Sequence, residues 1–408
     1  MKFSKLLLAM AASGIATSAF ATNGYFSHGY GMTAKGMAGA ATAMTKDAFG
    51  GANNPATMVW VGNRYDVGAD AFSPVRAASA TTGATVTSSD NELFAIPEFG
   101  YNKMHNDKLS YGVTVYGNGG MNTDYPTTGG YNMLGGTTAL GVDLIQLIVA
   151  PTVSYKVNES TSVGLSPLLG FQRFEAYGLG AFANYSADST KLTNNGTDDA
   201  TGFGARVGVL SKLNNQVTVA AAYATKVDMS KFDKYAGLFA EQGDFDLPAN
   251  WNVGMSFQPN DKLTVAVDFQ HIEYSGVKSI NNPSANLLAP QQLGANAGPG
   301  FGWSDMDVVK LGVEYKYSPT MTLRAGYSHA DSPITSADVT FNVLAPAVIE
   351  DHITLGMTQV LDKDSELTVS YAHAVENSVT GNYLLSSGPT GTIKMHQNSI
   401  GIAYSKKF

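Results

Sequence analysis

The chain has 408 residues, among them 44 glycines, 20 tyrosines and 19 phenylalanines, and it has no cysteine. Glycine at 44 of 408, about 11%, exceeds its usual share of about 7%, which is typical of many strands joined by tight turns rather than of a helical bundle. The missing cysteine excludes disulfides, thiolate catalysis and zinc–thiolate sites. A formal net charge of −8 without any basic cluster argues against nucleic acid as a partner.

The first 21 residues have the pattern of a secretory signal peptide. Lys2 and Lys5 precede an apolar run, and Ala19 and Ala21 place small residues at the positions that signal peptidase reads. We therefore expect cleavage after Ala21. The run is too short for a membrane anchor, which needs about 20 apolar residues. Since no later segment is apolar enough to cross a membrane as a helix, the exported protein is periplasmic, secreted or an outer-membrane barrel.

Residues 22–62 are rich in glycine and alanine and do not alternate between polar and apolar positions. Part of this segment, Thr33 to Lys46, is predicted to be helical because its apolar residues recur at helical spacing. These residues are Met37, Ala38, Ala41 and Met44. A disordered periplasmic tail and a plug inside a barrel are the two alternatives, and the low charge of the segment favours a plug, or hatch.

From Arg64 onward, apolar residues alternate with polar ones in segments of strand length. We place strands near residues 64–75, 91–102, 108–117, 143–156, 161–174, 203–213, 216–224, 250–258, 262–274, 305–317, 320–330, 351–360, 366–374 and 394–408. A soluble sandwich would show the same alternation, but short turns here alternate with long connections, as in a membrane barrel. The prediction for residues 63–408 is thus an all-β, transmembrane antiparallel β-barrel of about fourteen strands.

The last strand places Ile400, Ile402, Tyr404 and Phe408 on one face. Outer-membrane barrels end in this way, with a terminal aromatic residue in the interfacial girdle. We expect this strand to engage the barrel-assembly machinery and the wall to contact outer-membrane lipid and lipopolysaccharide.

Five motifs, in order, resemble the FadL family of outer-membrane transporters for long-chain fatty acids and other hydrophobic compounds. They are Asn54-Pro55-Ala56, the segment from Asp246 through Pro248 and Trp251 to Val253, Gly302-Trp303-Ser304-Asp305, Leu323-Arg324-Ala325-Gly326-Tyr327 followed by Asp331-Ser332-Pro333, and the terminal Phe408. Asn-Pro-Ala alone is a weak signal. All five in family order, with fourteen strands and a plug-length N-terminus, are a strong one.

The resemblance implies a barrel closed by an N-terminal hatch that carries Asn54, Pro55 and Ala56. It also implies a hydrophobic capture groove in the outer loops, a tighter pocket inside, and a sideways exit where the third strand kinks. The third strand here contains Leu109 to Tyr116 and ends in Gly117-Asn118-Gly119-Gly120. Glycines at a strand end more often begin a loop than mark a kink, so the residues alone favour a loop.

The loop from Thr225 to Pro248 has apolar residues at the spacing of a short amphipathic helix. They are Phe232, Tyr235, Leu238 and Phe239, and the preceding outer loop offers Tyr177, Leu179, Phe182 and Tyr185 as a second wall. Because a barrel has little core outside the membrane, we expect this stripe to be exposed and to receive a hydrophobic ligand. The same two loops form the capture groove of the family.

Strand phase predicts which cations face the lumen and could meet a ligand headgroup. Arg324 and Lys310 both point inward by this criterion. Glu314 lies on the same face as Lys310, so a structural ion pair is the alternative to a receptor for a ligand carboxylate. The family places an arginine of its high-affinity site where Arg173 stands. The phase points Arg173 outward unless a bulge near Pro167 shifts the register, and both alternatives stay open.

The residues favour no enzyme activity, no cofactor and no metal site. The seven histidines are dispersed and lie in no hydrolase or metalloprotease motif. The glycines around Gly29 and Gly31 imitate a dinucleotide fingerprint, but no strand precedes them. His352 points into the lumen by strand phase, where we expect a hydrogen-bonding role.

The predicted function is passive uptake of long-chain fatty acids or similar hydrophobic molecules across the Gram-negative outer membrane. The alternatives are uptake of aromatic hydrocarbons, a nonspecific porin and an outer-membrane lipid hydrolase. A porin should have an unplugged, charge-lined lumen. A hydrolase should place serine and histidine together on one strand face near the membrane edge. The residues alone do not separate a fatty acid from an aromatic hydrocarbon.

Overall fold

The computed structural model describes residues 23–79, 86–288, 290–382 and 390–408. The predicted signal peptide, residues 1–21 with cleavage after Ala21, lies outside the described residues, as does Thr22 of the predicted hatch. The signal peptide therefore stays a prediction.

Fourteen long antiparallel strands in the described chain form one closed sheet. They are β1 (Arg64–Ser79), β2 (Phe94–Asn106), β3 (Leu109–Tyr125), β4 (Leu140–Lys156), β5 (Thr161–Tyr177), β6 (Asp198–Lys212), β7 (Val217–Ala224), β8 (Asn250–Asn260), β9 (Leu263–Ile272), β10 (Met306–Lys316), β11 (Met321–Ala330), β12 (Asp351–Val360), β13 (Ser365–Asn382) and β14 (Thr390–Lys407). Each strand pairs with its neighbour in sequence, and β14 pairs with β1 to close the barrel. The predicted fold is confirmed.

Two-residue strands and short helices decorate this barrel. Thr87–Ser88 pairs with β1 and Asp228–Met229 pairs with β6. The helical segments are Met32–Lys35, Ala240–Gly243, Lys278–Asn281 and Val339–Asn342, together with 3₁₀ turns at Pro55–Trp60, Gly180–Tyr185, Ser189–Lys191, Asp233–Tyr235, Tyr274–Gly276 and Ser284–Leu288. Of the helices described, none is long and apolar enough to cross a membrane.

The short turns at one end of the barrel share a side-chain mechanism. Asn106 Oδ1 accepts hydrogen bonds from Lys108 N at 2.9 Å and Leu109 N at 3.0 Å. The same pattern recurs at Asn158, Asn214, Asn260 and Asp362. Asparagine and aspartate stabilise tight turns by bonding to backbone amides two and three residues on, so these positions fix strand register at that end.

The wall has an apolar outer face and a polar inner face. On β10, Val309 is 52% exposed and Leu311 is 44% exposed, whereas Lys310 between them is 5% exposed. Because side chains alternate along a strand, this phase turns Glu314 inward as well, and Glu314 is 2% exposed. Lipid faces the outer side chains, and the inner ones meet the hatch.

Residues 23–62 lie inside the barrel and bond to its wall. Lys35 Nζ forms a buried ion pair with Asp70 Oδ2 of β1 at 2.7 Å. Asp268 Oδ2 of β9 accepts three hydrogen bonds of 2.8 Å, from the backbone amides of Ala41 and Thr42 and the hydroxyl of Thr42. The lumen is therefore plugged in this structure.

The predicted helix from Thr33 to Lys46 is wrong in extent, since only Met32–Lys35 is helical. The backbone then turns, with φ of 53° at Ala38 and 83° at Gly39. A Cβ on Gly39 would lie 1.8 Å from His28 O. Close contact between two hatch segments thus overrides the helical spacing of the apolar residues.

Candidate functional site

The aromatic residues of the predicted groove loop are buried rather than exposed. The rings of Phe232, Tyr235 and Phe239 have their centroids 5.5, 4.8 and 4.7 Å from that of Phe174 on β5. Leu238 packs against the same cluster and is partly buried. The expectation of an exposed stripe is wrong, because the loop folds back and its rings complete an apolar core above the wall. The loop forms short turns there instead of an amphipathic helix.

The second loop contributes to the same core. Phe182 is 1% exposed and its ring packs at a tilt against that of Phe341, with a centroid distance of 5.4 Å. Leu179 is also buried, whereas Tyr185 is 46% exposed. The hydroxyl of Tyr177 donates a hydrogen bond to the β3 backbone. Among the predicted wall residues, Tyr185 is therefore accessible to an arriving ligand while the others hold the loops together.

Charged residues at the base of the loop from Thr225 to Pro248 are close to one another. Lys226 Nζ forms an ion pair with Asp246 Oδ2 at 2.6 Å. Burial raises the pKa of Asp244 to about 6, and the nearby carboxylates of Asp246 and Glu241 act in the same direction. Since Asp246 belongs to one of the family motifs, this motif residue has a structural role at the loop base.

A continuous chain of aromatic rings joins the outer loops to the hatch. The Phe239 ring lies 4.8 Å from Phe245, which lies 6.2 Å from Tyr25 of the hatch. Tyr25 in turn lies 5.4 Å from Phe26 and 5.9 Å from Trp303, measured between ring centroids. We call Phe239, Phe245, Tyr25 and Phe26 the aromatic chain. It forms a continuous apolar core from the outer loops into the lumen.

The aromatic chain ends at a small lumenal cavity. The lining residues are Phe26, Ser27, Gly29, Tyr30, Gly39, Thr42, Ala52, Asn53, Arg206, Asn250, Asn252, Gln270 and Lys310. Lys310 Nζ donates to His28 O at 3.2 Å, and Arg206 Nη1 donates to Ala52 O. The Nε of Arg206 is buried and has no hydrogen-bond partner among the described residues. Two cations beside an aromatic ring can receive an anionic headgroup whose tail follows the rings.

Arg206 was not among the residues predicted from sequence. The alternation of side chains along β6 indicates that Arg206 points into the lumen. Phe203 and Val207 on the outer face are 60% and 48% exposed, whereas Arg206 is 4% exposed. The same phase argument that predicted an inward Lys310 applies to Arg206.

Arg324 faces the lumen as predicted but is fully engaged in a structural network. Its guanidinium pairs with Glu314 Oε2 at 2.8 Å and donates to Thr358 Oγ1 at 2.6 Å. Glu314 Oε1 also forms an ion pair with Lys46 Nζ of the hatch at 2.6 Å. Glu314 thus pairs with Arg324 and Lys46 rather than with Lys310, and its ion pair with Lys46 ties the hatch to the wall.

Arg173 lies on the outer face and does not reach the lumen. It is paired with Asp199 at 2.9 Å, and the two side chains are 54% and 67% exposed. The ladder between β5 and β6 continues through Pro167 without a register shift. Because no bulge turns the strand, the headgroup role carried over to Arg173 from the resemblance is not supported.

The third strand carries a bulge and continues to Tyr125, so the preference for a loop at Gly117–Gly120 was wrong. The register between β3 and β4 shifts between Gly117 and Gly119. The ladder between β2 and β3 runs from Asn106 only as far as Phe99, opposite Val115. Beyond that point the two strands separate. We call the opening between Phe94–Glu98 and Tyr116–Thr123 the β2–β3 window.

The hatch covers the inner side of this window. Ser27 N donates to Asn118 O at 3.2 Å, and Phe26 forms a β-bridge with Gly119. A Cβ on Gly119 would lie 2.0 Å from Tyr25 O, so glycine is required for this close approach. At its outer end the window is closed by a hydrogen bond of 2.8 Å from Asp90 N to Asp124 O.

The hatch motif acts as an anchor away from the window. Asn54 Nδ2 donates to Thr42 O at 3.0 Å and to Val209 O of β6 at 3.2 Å. Its Oδ1 accepts from Ala56 N at 3.0 Å, which caps the turn that begins at Pro55. Asn54, Pro55 and Ala56 therefore fix the hatch to the wall.

The periplasmic mouth is polar, in contrast to the aromatic chain. A cavity of about 450 Å³ opens there and is lined by Lys46, Glu159, Lys212, Gln216, Gln258 and neighbouring residues. A hydrophobic molecule gains nothing by entering this vestibule.

Serine and histidine do meet in the lumen, where Ser328 Oγ lies 3.3 Å from His352 Nδ1. The Nε2 atom of His352 is buried and has no hydrogen-bond partner in the described part of the chain. Asp351 instead contacts Tyr327 and His329. Within the described chain this pair has no carboxylate to orient it and lies beside the hatch, so it lacks the third member of a catalytic triad.

Together the fold and the site define a plugged outer-membrane barrel whose apolar core extends from its loops to its lumen. A family profile described as outer membrane protein transport protein (OMPP1/FadL/TodX) matches residues 8–408. The chain belongs to this family, which confirms the predicted family and the outer-membrane location. The family is one of transport proteins.

Relatives and solved structures agree with this assignment. The long-chain fatty acid transport protein of Escherichia coli strain K12 is 24% identical over 315 residues, covering 66% of this chain and 68% of that protein. The crystal structure of the Pseudomonas putida toluene transporter TodX has a TM-score of 0.72 at 20% identity and covers 95% of this chain and 100% of its own. That of a Pseudomonas aeruginosa FadL homologue has a TM-score of 0.73 at 15% identity, with 94% and 100% covered. The structural likeness shows the fold.

Proposed function

We propose that this protein takes up long-chain fatty acids or similar hydrophobic molecules passively across the outer membrane. The ligand is captured at the outer loops, passes along the aromatic chain to the lumenal cavity, and leaves sideways through the β2–β3 window. The observation that carries this proposal is the unbroken series of ring contacts from Phe239 to Phe26, which ends beside Arg206 and Lys310.

A hydrophobic ligand could leave the lumen through the polar vestibule or through the β2–β3 window, and the energetic cost favours the window. The polar vestibule below the hatch would require an apolar tail to leave for water, at a cost of about 25 cal/mol per Å² of apolar surface. The window opens instead between strands whose outer faces contact lipid. Lipopolysaccharide presents a polar layer to the medium, and a hydrophobic molecule that avoids this layer reaches the bilayer from the side.

Two ligand classes fit different parts of the route. A fatty acid is favoured by the cations Arg206 and Lys310 at the end of the aromatic chain. Uptake of an aromatic hydrocarbon is the second candidate, because rings such as Phe245 and Tyr25 offer stacking surfaces and no charge.

The exit can be tested by locking the hatch to the window. The chain has no cysteine, so the double variant Ser27→Cys/Asn118→Cys places one pair of thiols directly across the bridge between hatch and β3. We expect the disulfide to abolish uptake of labelled oleate by intact cells and a reductant to restore it. The matched control is Thr161→Cys/Ser211→Cys, which links two paired strands at the periplasmic end.

Normal oleate uptake by the oxidised Ser27→Cys/Asn118→Cys variant would contradict exit through the window. A loss of uptake in the control variant as well would mean that the thiols disturb the barrel in general. The proportion of cross-linked protein is measured by mass spectrometry in the same cells.

We also propose that the terminal strand directs assembly. The Phe408 ring stacks on Tyr101 of β2 with a centroid distance of 5.8 Å, and Phe408 N donates to Asn63 O. Contact with the barrel-assembly machinery and with lipopolysaccharide belongs to this proposal. The variant Phe408→Ala should reduce the amount of heat-modifiable, folded protein in the outer membrane while export continues.

A further inference from the structure

Arg76 of β1 reaches across the outer end of the β2–β3 window. Its Nη1 donates to Asn122 O of β3, and its Nη2 donates to Asn91 O in the segment before β2. The Cζ atom lies 5.7 Å from the centre of the Phe94 ring. The guanidinium therefore lies at the edge of the opening, above the first residue of β2.

This guanidinium has hydrogen-bonding capacity that the protein does not use. Arg76 is 2% exposed, and among the described residues its Nε has no hydrogen-bond partner and no carboxylate forms an ion pair with it. Tyr125 is fully buried and close enough to interact electrostatically with Arg76, and its hydroxyl also lacks a partner in the part of the chain that the structure describes. The acidic residue that interacts with Arg76, Glu92, is exposed.

Two buried donors for which residues 23–79, 86–288, 290–382 and 390–408 supply no acceptor leave a site that an anion satisfies. Beside them, Phe72, Phe94 and Ile96 form a separate buried apolar cluster on β1 and β2. A fatty acid would fit both the donors and the apolar cluster, with its carboxylate on Arg76 and its hydrocarbon tail over the cluster. An uncharged hydrocarbon would fit only the apolar cluster.

We propose that Arg76 and Tyr125 form a carboxylate site at the window, distinct from Arg206 and Lys310 in the lumenal cavity. The ligand is the anion of a long-chain fatty acid. The site holds the headgroup while the tail enters the bilayer, and it makes the exit selective for carboxylates. This inference rests on the proposed exit through the window.

The test compares oleate with oleyl alcohol, which has the same tail and no carboxylate. In Arg76→Met, oleate uptake should fall about tenfold or more, because hydrogen bonds to charged groups are the strong ones. Uptake of oleyl alcohol should stay within about twofold of the unsubstituted protein, since apolar burial is retained. Arg76→Lys keeps the charge and should recover part of the oleate uptake.

Equal losses for both probes in Arg76→Met would overturn the site, because Arg76 would then only hold β1 to β3. Unchanged oleate uptake would overturn it as well. If the unsubstituted protein takes up the alcohol but not oleate, the proposed carboxylate site is wrong, whereas exit through the window remains supported. If it takes up neither probe, the proposed function fails.

A second measurement uses the unsubstituted protein, so it does not depend on whether Arg76→Met folds. Oleate carrying a diazirine beside its carboxylate is photolysed in the purified protein, and the labelled peptides are identified by mass spectrometry. Label near Asn91, Phe94 or Tyr125 supports the site. Label confined to the surroundings of Arg206 and Lys310 overturns it.

Discussion

At the scale of single residues, the lumen pairs its charges across the boundary between hatch and wall. Glu314 is 2% exposed and accepts from both Arg324 and Lys46. A buried charge is costly unless it is paired, so the carboxylate is what permits two cations to lie in the lumen. The ion pair between Lys35 and Asp70 does the same on the other side of the hatch.

Glu314→Gln should therefore destabilise the protein strongly. The buried Arg324 would lose its carboxylate, and breaking such a pair costs on the order of 3–5 kcal/mol. The matched control is Arg173→Gln, whose ion pair is exposed and should contribute no more than about 1 kcal/mol. The readout is the urea midpoint of the folded, heat-modifiable band. Equal midpoints for the two variants would contradict the pairing argument.

Residue orientation in the wall was predictable, and contacts between segments were not. Strand geometry fixes the alternation, so the inward Lys310 and Arg324 follow from their neighbours. Arg76 shows the same phase, but the first strand was predicted to end at residue 75, and the arginine was missed. Phe232 and Tyr235 have the spacing of an exposed face, and only the folded loop shows that they are buried.

At the scale of elements, the bulge in β3 couples the wall to the hatch. Gly119→Ala should push the hatch strand off β3, because its Cβ would lie 2.0 Å from Tyr25 O. We expect faster amide hydrogen exchange at residues 25–27 and unchanged exchange along β4. Gly180→Ala is the control, because its Cβ would meet no atom within 4 Å. Slow exchange at residues 25–27 in Gly119→Ala would show that the hatch tolerates the side chain.

The loop from Thr225 to Pro248 depends on its buried aromatic rings for stability. Phe239 is 5% exposed and contacts Phe174, Phe232 and Phe245. Phe239→Ala should destabilise the loop by about 3–5 kcal/mol, the usual cost of removing a buried phenylalanine. Protease cleavage within residues 225–249 measures this. Tyr185→Ala removes an exposed ring and should change the cleavage rate little. Comparable cleavage in the two variants would argue against a packed loop.

The same loop should respond to pH through Asp244. Its pKa is raised from 3.8 to about 6, first by burial and then by Asp246 and Glu241. The folded loop thus binds this proton more tightly than the unfolded loop, so the loop loses stability as the pH rises from about 4 to about 6. Cleavage within residues 225–249 should therefore be slower at pH 5 than at pH 7.5, and Asp244→Asn should reduce this difference. An unchanged difference in Asp244→Asn would assign the pH effect to other groups.

At the scale of the whole molecule, local sequence patterns predict the barrel wall. They do not predict how the hatch fills the lumen or where the wall opens. Alternation, Asn and Asp turns and the terminal Phe408 determine strand number and orientation, because each acts over a few residues. The hatch helix was overestimated because Gly39 makes a contact that no local pattern reveals. The window depends on where β2 leaves β3, and beyond that point β3 contacts residues 25–27 of the hatch, which are distant in sequence.

The outer mouth is closed by loops as well as by the hatch. The segment 343–349 between β11 and β12 is buried, and Thr123 Oγ1 of β3 donates to Leu344 O at 2.9 Å. Phe182 and Phe341 pack together beside it. Two separate barriers therefore lie in series along the barrel axis, which makes a simple aqueous pore physically inconsistent with this structure.

Deletion of residues 23–46 alone should raise single-channel conductance in planar bilayers only slightly, because the loops still seal the mouth. Deletion of residues 339–349 alone should have as little effect, since the hatch still fills the lumen. Both deletions together should give stable, porin-like openings, because neither barrier then remains. Each variant must first show a folded, heat-modifiable band. Porin-like conductance from the hatch deletion alone would contradict a second seal, and a closed double variant would place the main barrier in the remaining hatch residues 47–62.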